Sequence, residues 1–122
     1  MRSATLRSGI ALFNQAHFFD AHEVLEDAWR PARGRRRHFL QALIQVTVAL
    51  HHHSRGNLVG ARSLLARGGN TLASYPSVYA GLDVARLRAS VEAWREALAA
   101  ERAAPPLPRL KFAKPVLKSG PR

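Results

Sequence analysis

Apolar side chains recur along this chain at intervals of three and four residues almost from end to end, the spacing that keeps one face of an α-helix dry. No stretch alternates apolar and polar positions between turn residues, so no strand is predicted. Five helices follow. The first covers about 4–16 and carries Leu6, Ile10 and Phe13. The second opens at Asp20, where Glu23 three residues later completes a capping-box pattern and Phe19 and Val24 occupy the positions of a hydrophobic staple. It ends near Arg30, because Pro31 disfavours helical geometry in the residue before it, and PARGRRR reads as a basic loop.

The third helix, about 36–55, is the most apolar, with Phe39, Leu40, Leu43, Ile44, Val46, Val48 and Leu50 on more than one face. Such a helix belongs at the centre of a fold. Gly56 ends it, and Asn57 caps a fourth helix that runs through Leu58, Ala61, Leu65 and Leu72 until Tyr75-Pro76. Gly68-Gly69 in its middle costs about 1 kcal/mol per residue relative to alanine, which predicts either a close approach of two backbones or a break. The fifth helix, about 83–102, has Val84, Leu87, Val91, Trp94 and Leu98 in one narrow stripe and packs by one side. Prolines 105, 106, 108, 115 and 121 then forbid helix, leaving Leu110 and Phe112 as anchors for an extended segment. The predicted architecture is all-α: a compact single-domain bundle of about five helices over residues 1–104, followed by an extended basic C-terminal tail over 105–122.

Composition narrows the picture. A chain of 122 residues has room for one core. The absence of cysteine excludes disulfides and thiolate metal sites. No run of about 18 apolar residues and no secretory pattern in MRSATLRSGIALF is present, so a cytoplasmic location without membrane association is expected. The net charge of +11 suits a polyanion, although much of it is arginine spread through an alanine- and arginine-rich sequence. The tail holds Arg109, Lys111, Lys114, Lys118 and Arg122 with no acid, and without it the excess is +6. Nucleic acid is therefore one expected partner, met by Arg33, Arg35, Arg36, Arg37 and the tail.

His22 and Glu26 are the candidate chemistry. Residues four apart on a helix are neighbours, so the two offer an imidazole nitrogen and a carboxylate oxygen to one cation. Two ligands fall short of the three or more a protein site usually needs. The remainder are sought on helix three, where Gln41, Gln45 and His52 follow a polar stripe, and the short loop favours packing of helices two and three. His51, His52 and His53 are consecutive and point in three directions, and the stripe selects His52. Ordinary readings compete: Glu23 as the capping-box residue, Glu26 as a partner of Arg30, Trp29 as core instead of a pocket wall, and His22, Glu26 and Gln45 as a buried network that fixes helix packing without a ligand. HEVLE matches only the first half of the zinc-protease HExxH motif, Glu-x-x-His is absent, and there is no phosphate loop, GxSxG elbow or nucleophilic cysteine.

Taken together, FNQAHFFDAHEVLEDAW, FLQALIQVTVALHHHSRGNLVGARSLL and YPSVYAGLDVARL resemble the uncharacterised family known as domain of unknown function 309, over about residues 8–98. The resemblance rests on HxxxExx(W/Y), here His22, Glu26 and Trp29, with Phe13-Asn14 before it and Gly56-Asn57 after helix three. It implies a small all-helical domain whose motif is proposed to bind metal, with no established reaction. The expected site lies between helices two and three. His22, Glu26 and His52 would ligate a divalent metal of unspecified identity or contact a small molecule, with Glu23, Trp29, Gln45 and, from the family pattern, Asn14 around them. Were it catalytic, metal-assisted hydrolysis with Glu23 or Glu26 as base is the least committed reading.

Overall fold

The computed structural model describes residues 2–114, with side chains from Thr5 onward; Lys118, Arg122 and the prolines at 115 and 121 lie outside the described residues. Five helices run α1 (Arg2–Asn14), α2 (Phe18–Trp29), α3 (Gly34–Ser54), α4 (Leu58–Leu72) and α5 (Val84–Ala99). The fold is all-helical apart from a two-residue hairpin, β1 (Val78–Tyr79) with β2 (Leu82–Asp83), ahead of α5. No helix among the described residues is long and apolar enough to cross a membrane.

The apolar helix is central, as its pattern requires. Phe39, Leu40, Ala42, Leu43, Val46, Ala49 and Leu50 of α3 are buried, and Thr47 beside them donates its hydroxyl to the Leu43 carbonyl at 2.7 Å. α2 lies on one side of α3 and α4 on the other, with α1 against α2 and α5 against α4. Gly68 makes the α3–α4 contact possible: a Cβ there would stand 2.9 Å from Val46 Cγ2 and 3.1 Å from the Ala42 carbonyl oxygen. Of the two outcomes open to the glycine pair, the close approach of backbones is the one adopted.

Helix starts are where sequence and structure part. Asn57 and Asp83 cap α4 and α5 through their side chains, accepting from the N–H groups of Gly60 and Arg86 at 3.0 Å each. Asp20 does not cap α2. That helix begins at Phe18 with His17 at the N-cap position and no side-chain cap, so neither the Asp20–Glu23 box nor the Phe19–Val24 staple forms. The reason is apolar: Phe18 is buried edge-on against Phe13, ring centroids 5.4 Å apart, and draws the first turn three residues upstream. Ala16 at φ 63° closes α1, with His17 N–H bonded to the Leu12 carbonyl, so the α1–α2 connection is a tight turn.

The hairpin turns through Ala80 (φ 51°) and Gly81 (φ 79°), the two positive φ values of a type I′ turn. The tail stabilises it. Asp83 N–H donates to the Lys111 carbonyl and Ala113 N–H to the Gly81 carbonyl, both at 2.8 Å, and Leu82 bridges to Phe112. Farther back, the Trp94 indole donates to the Pro106 carbonyl at 3.0 Å, and Leu110 is buried. Asn14 grips both backbone groups of Leu110, its Nδ2 donating to the carbonyl and its Oδ1 accepting from the N–H. Tyr75 ties the fourth helix to the third, donating to the Arg35 carbonyl at 2.6 Å, and burial pushes its phenol above the ordinary value, with Tyr79 adding to the rise.

Candidate functional site

α2 and α3 enclose a cavity of about 210 Å³ lined by Phe18, Phe19 and His22 from one helix and Val48, His51 and His52 from the other. The spacing explains the lining. Phe18, Phe19 and His22 stand four and three residues apart, and so do Val48, His51 and His52, so each helix turns one face to the same space. Phe19, which is half exposed, packs against both His22 and His51 with ring centroids 5.6 and 5.7 Å away.

His22 Nε2 stands 3.4 Å from Glu26 Oε2, and its Nδ1 stands 3.2 Å from the Phe19 carbonyl oxygen. Both ring nitrogens thus face acceptors, and a neutral imidazole, with a single N–H, serves one of them at a time. Glu26 is also 3.9 Å from Arg30, but Arg30 is committed more closely to Asp27 at 2.6 Å. The three consecutive histidines separate as expected: His51 meets Phe19, His52 Nδ1 meets the Asn57 side chain at 3.4 Å, and His53 turns away to pack edge-on against Trp94 of α5.

The other expected site residues are dispersed. Gln45 is half-buried on α3 but absent from the cavity lining, and among the described residues no hydrogen bond joins it to His22 or Glu26. Glu23 and Gln41 are exposed. Asn14 belongs to the tail clamp at Leu110. Trp29 is half-buried beside the core under the Arg37 guanidinium, 3.8 Å from its ring centre, and its Nε1 is buried without a partner among the described residues. Phe18, Phe19, Val48 and His51 complete the cavity without having been expected there, although the i, i+3, i+4 spacing of each set carried the signal.

His22 Nε2 and Glu26 Oε2 are separated as two donors on one tetrahedral ion would be, since ligand bonds of about 2.1 Å place neighbouring donors about 3.4 Å apart. The donor count falls short of a resident metal: among the described residues no group of three or more His, Cys, Asp or Glu side chains is placed to hold an ion. The basic run expected as a loop is mostly helix, with Arg33 at the N-cap position and Arg35, Arg36 and Arg37 in the first turn of α3, and it is likewise partly committed. Arg35 stacks over the Tyr75 ring at 4.6 Å, and Arg37 donates to the carbonyls of Trp29, Arg30 and Ala32, which leaves Arg33 and Arg36 exposed.

Comparison with known proteins places these elements. A stretch of 51 residues, 40% of this chain, is 43% identical to the uncharacterized protein YpuF of Bacillus subtilis and covers 29% of that protein, so the chain spans under a third of the length of that relative. The family model described as "Domain of unknown function (DUF309)" matches residues 6–64. That span takes in Phe13-Asn14, the whole of His22, Glu26 and Trp29, both cavity histidines of α3 and Gly56-Asn57; it ends at Leu64 in α4, short of YPSVYAGLDVARL. Residues 6–64 of this chain, from α1 into α4, are the part that resembles the DUF309 family.

Proposed function

We propose that the DUF309-like part of this chain is a binding module for a small organic molecule, held in the α2/α3 cavity. The observation that carries this reading is the cavity itself, about 210 Å³ with an apolar floor of Phe18 and Val48 and three imidazoles converging on it. An apolar cavity of about 150 Å³ already accommodates a benzene ring, so the ligand is a ring or a short branched chain with one polar group. Recognition suits the geometry better than bond breaking, because both His22 nitrogens already face protein acceptors. A broader groove of about 410 Å³ runs between α5 and the tail, but Arg86 and Arg109 are the only charged groups in its lining and no ionisable pair converges there.

A divalent cation at His22 and Glu26 is a second reading, favoured by their 3.4 Å separation and weakened by the missing third donor. It would rely on the ligand or solvent for the rest of its shell. One experiment addresses both. Untagged protein, purified without a nickel column because the histidine run invites adventitious metal, is screened against small fragments by ligand-observed NMR and assayed for bound metal. Fragment binding that disappears in Val48→Trp, which fills the cavity, supports the small-molecule reading; binding indifferent to that substitution defeats it. Near-stoichiometric metal that is lost in a folded Glu26→Ala variant transfers the site to the cation.

A further inference from the structure

Asn57 does more than cap α4. Its Oδ1 accepts from Gly60 N–H at 3.0 Å, its main-chain N–H donates to the His52 carbonyl at 2.8 Å, and its Nδ2 stands 3.4 Å from His52 Nδ1. As a hydrogen bond, the last contact can run in one direction only. A backbone N–H only donates, so the amide atom facing Gly60 is the oxygen and the atom facing His52 is the NH₂ group, which has no lone pair to offer. His52 Nδ1 must then accept, and the neutral ring carries its proton on Nε2. Space for this arrangement depends on glycine, since a Cβ at Gly60 would lie 2.6 Å from Asn57 Nδ2 and 2.9 Å from His52 Cδ2.

We infer that Asn57 is a positioning residue that holds His52 as an Nε2–H donor, and that the α2/α3 cavity therefore selects ligands bearing a hydrogen-bond acceptor, a carboxylate or carbonyl on a compact apolar body. The inference rests on the small-molecule reading of the same cavity. Nδ1 of His52 faces Asn57, so Nε2–H is the remaining polar atom of a ring that lines the cavity. His22 turns its two nitrogens to the Phe19 carbonyl and the Glu26 carboxylate. The Phe18 and Val48 side chains take the apolar body. A ligand whose polar group only donates finds no partner at His52 Nε2–H.

Asn57→Asp separates this role from plain capping. Aspartate caps helices as well as asparagine does, keeps an acceptor for Gly60 and turns a second acceptor toward His52. Long-range proton–nitrogen NMR of the histidine rings in the full chain reads the tautomers without any ligand, and titration with benzoate and with benzylamine reads the selectivity. Wild type is expected to show His52 protonated at Nε2, with benzoate shifting the His22 and His52 ring signals and benzylamine leaving them in place. In Asn57→Asp the His52 proton moves to Nδ1 and benzoate binds about tenfold more weakly, the loss of one hydrogen bond. An Nδ1–H tautomer in wild type overturns the inference, and so does equal benzoate affinity in the two proteins. If the tautomer is as assigned but neither probe reaches the cavity, or benzoate shifts survive in Val48→Trp, then the ligand reading fails and takes the selectivity with it, while the coupling of Asn57 to His52 stands.

Discussion

Arg37 sits in a run of four basic residues and is nonetheless a structural side chain. Its guanidinium lies over the Trp29 ring, and one of its nitrogens reaches the carbonyls of Trp29, Arg30 and Ala32, acceptors that the end of α2 leaves without helical partners. A planar fork suits that double task better than an ammonium group does. Arg37→Ala is expected to lower stability by about 1–3 kcal/mol, the scale for stranding acceptors of a charged donor, and Arg37→Lys to recover less than half of it. Arg36→Ala, at an exposed position, should stay within about 0.5 kcal/mol. Urea melts of the three variants decide it; an unchanged midpoint in Arg37→Ala alongside weakened polyanion binding would return Arg37 to a recognition role. The charge of PARGRRR was legible in the sequence. Its use was not, because that depends on Trp29 at the end of α2 lying beside the first turn of α3. His22 and Glu26 were legible as a pair for the opposite reason, since four residues on one helix fix their proximity without help from the fold.

At the scale of elements, periodicity was sufficient for five helices and their order, and the side-chain cap was readable at Asn57, where no burial competed, while Asp83 reads only as the start of the fifth helix. It failed at α2, where the buried Phe18 outweighed a well-formed capping sequence, and at Ala16, whose left-handed backbone has no glycine to announce it. The hairpin escaped because its two-residue strands are too short to alternate and draw bonds from tail residues some thirty positions away. The Gly68-Gly69 pair offered two outcomes and no means of choosing, since the choice lies in what α3 presents. The two glycines are predicted to differ. Gly68→Ala places a methyl against Val46 and the Ala42 carbonyl, backbone that cannot retreat, and should destabilise by about 1–3 kcal/mol despite the roughly 1 kcal/mol helix gain. At Gly69 the neighbours within 3.2 Å are the Arg95 and Glu92 side-chain ends and a Val91 methyl, so Gly69→Ala should be near neutral. Thermal melts that rank the two alike would remove close α3–α4 packing as the reason for Gly68.

Across the whole molecule the tail is the element whose two possible uses can be pulled apart. Sequence alone made it a basic extension with two apolar anchors. In the fold Leu110 is the buried anchor, Phe112 is 44% exposed beneath the Arg7 guanidinium, and Asn14 holds the Leu110 backbone from α1, so the tail links the first helix to the hairpin and to α5. If these contacts hold the bundle together, Asn14→Ala should lower stability by about 1–3 kcal/mol by stranding both backbone groups of Leu110. Leu110→Ala should lower it by about 2–5 kcal/mol. Neither change alters the charge of the chain. Removing residues 105–122 destabilises for the same reason and also takes the net charge from +11 to +6, so polyanion retention, measured as the salt needed to elute from heparin, should fall only in the truncated protein. Retention that drops equally in Asn14→Ala would mean that the seating of the tail, and not its charge, governs contact with a polyanion, because that substitution loosens the tail while leaving every lysine and arginine in place.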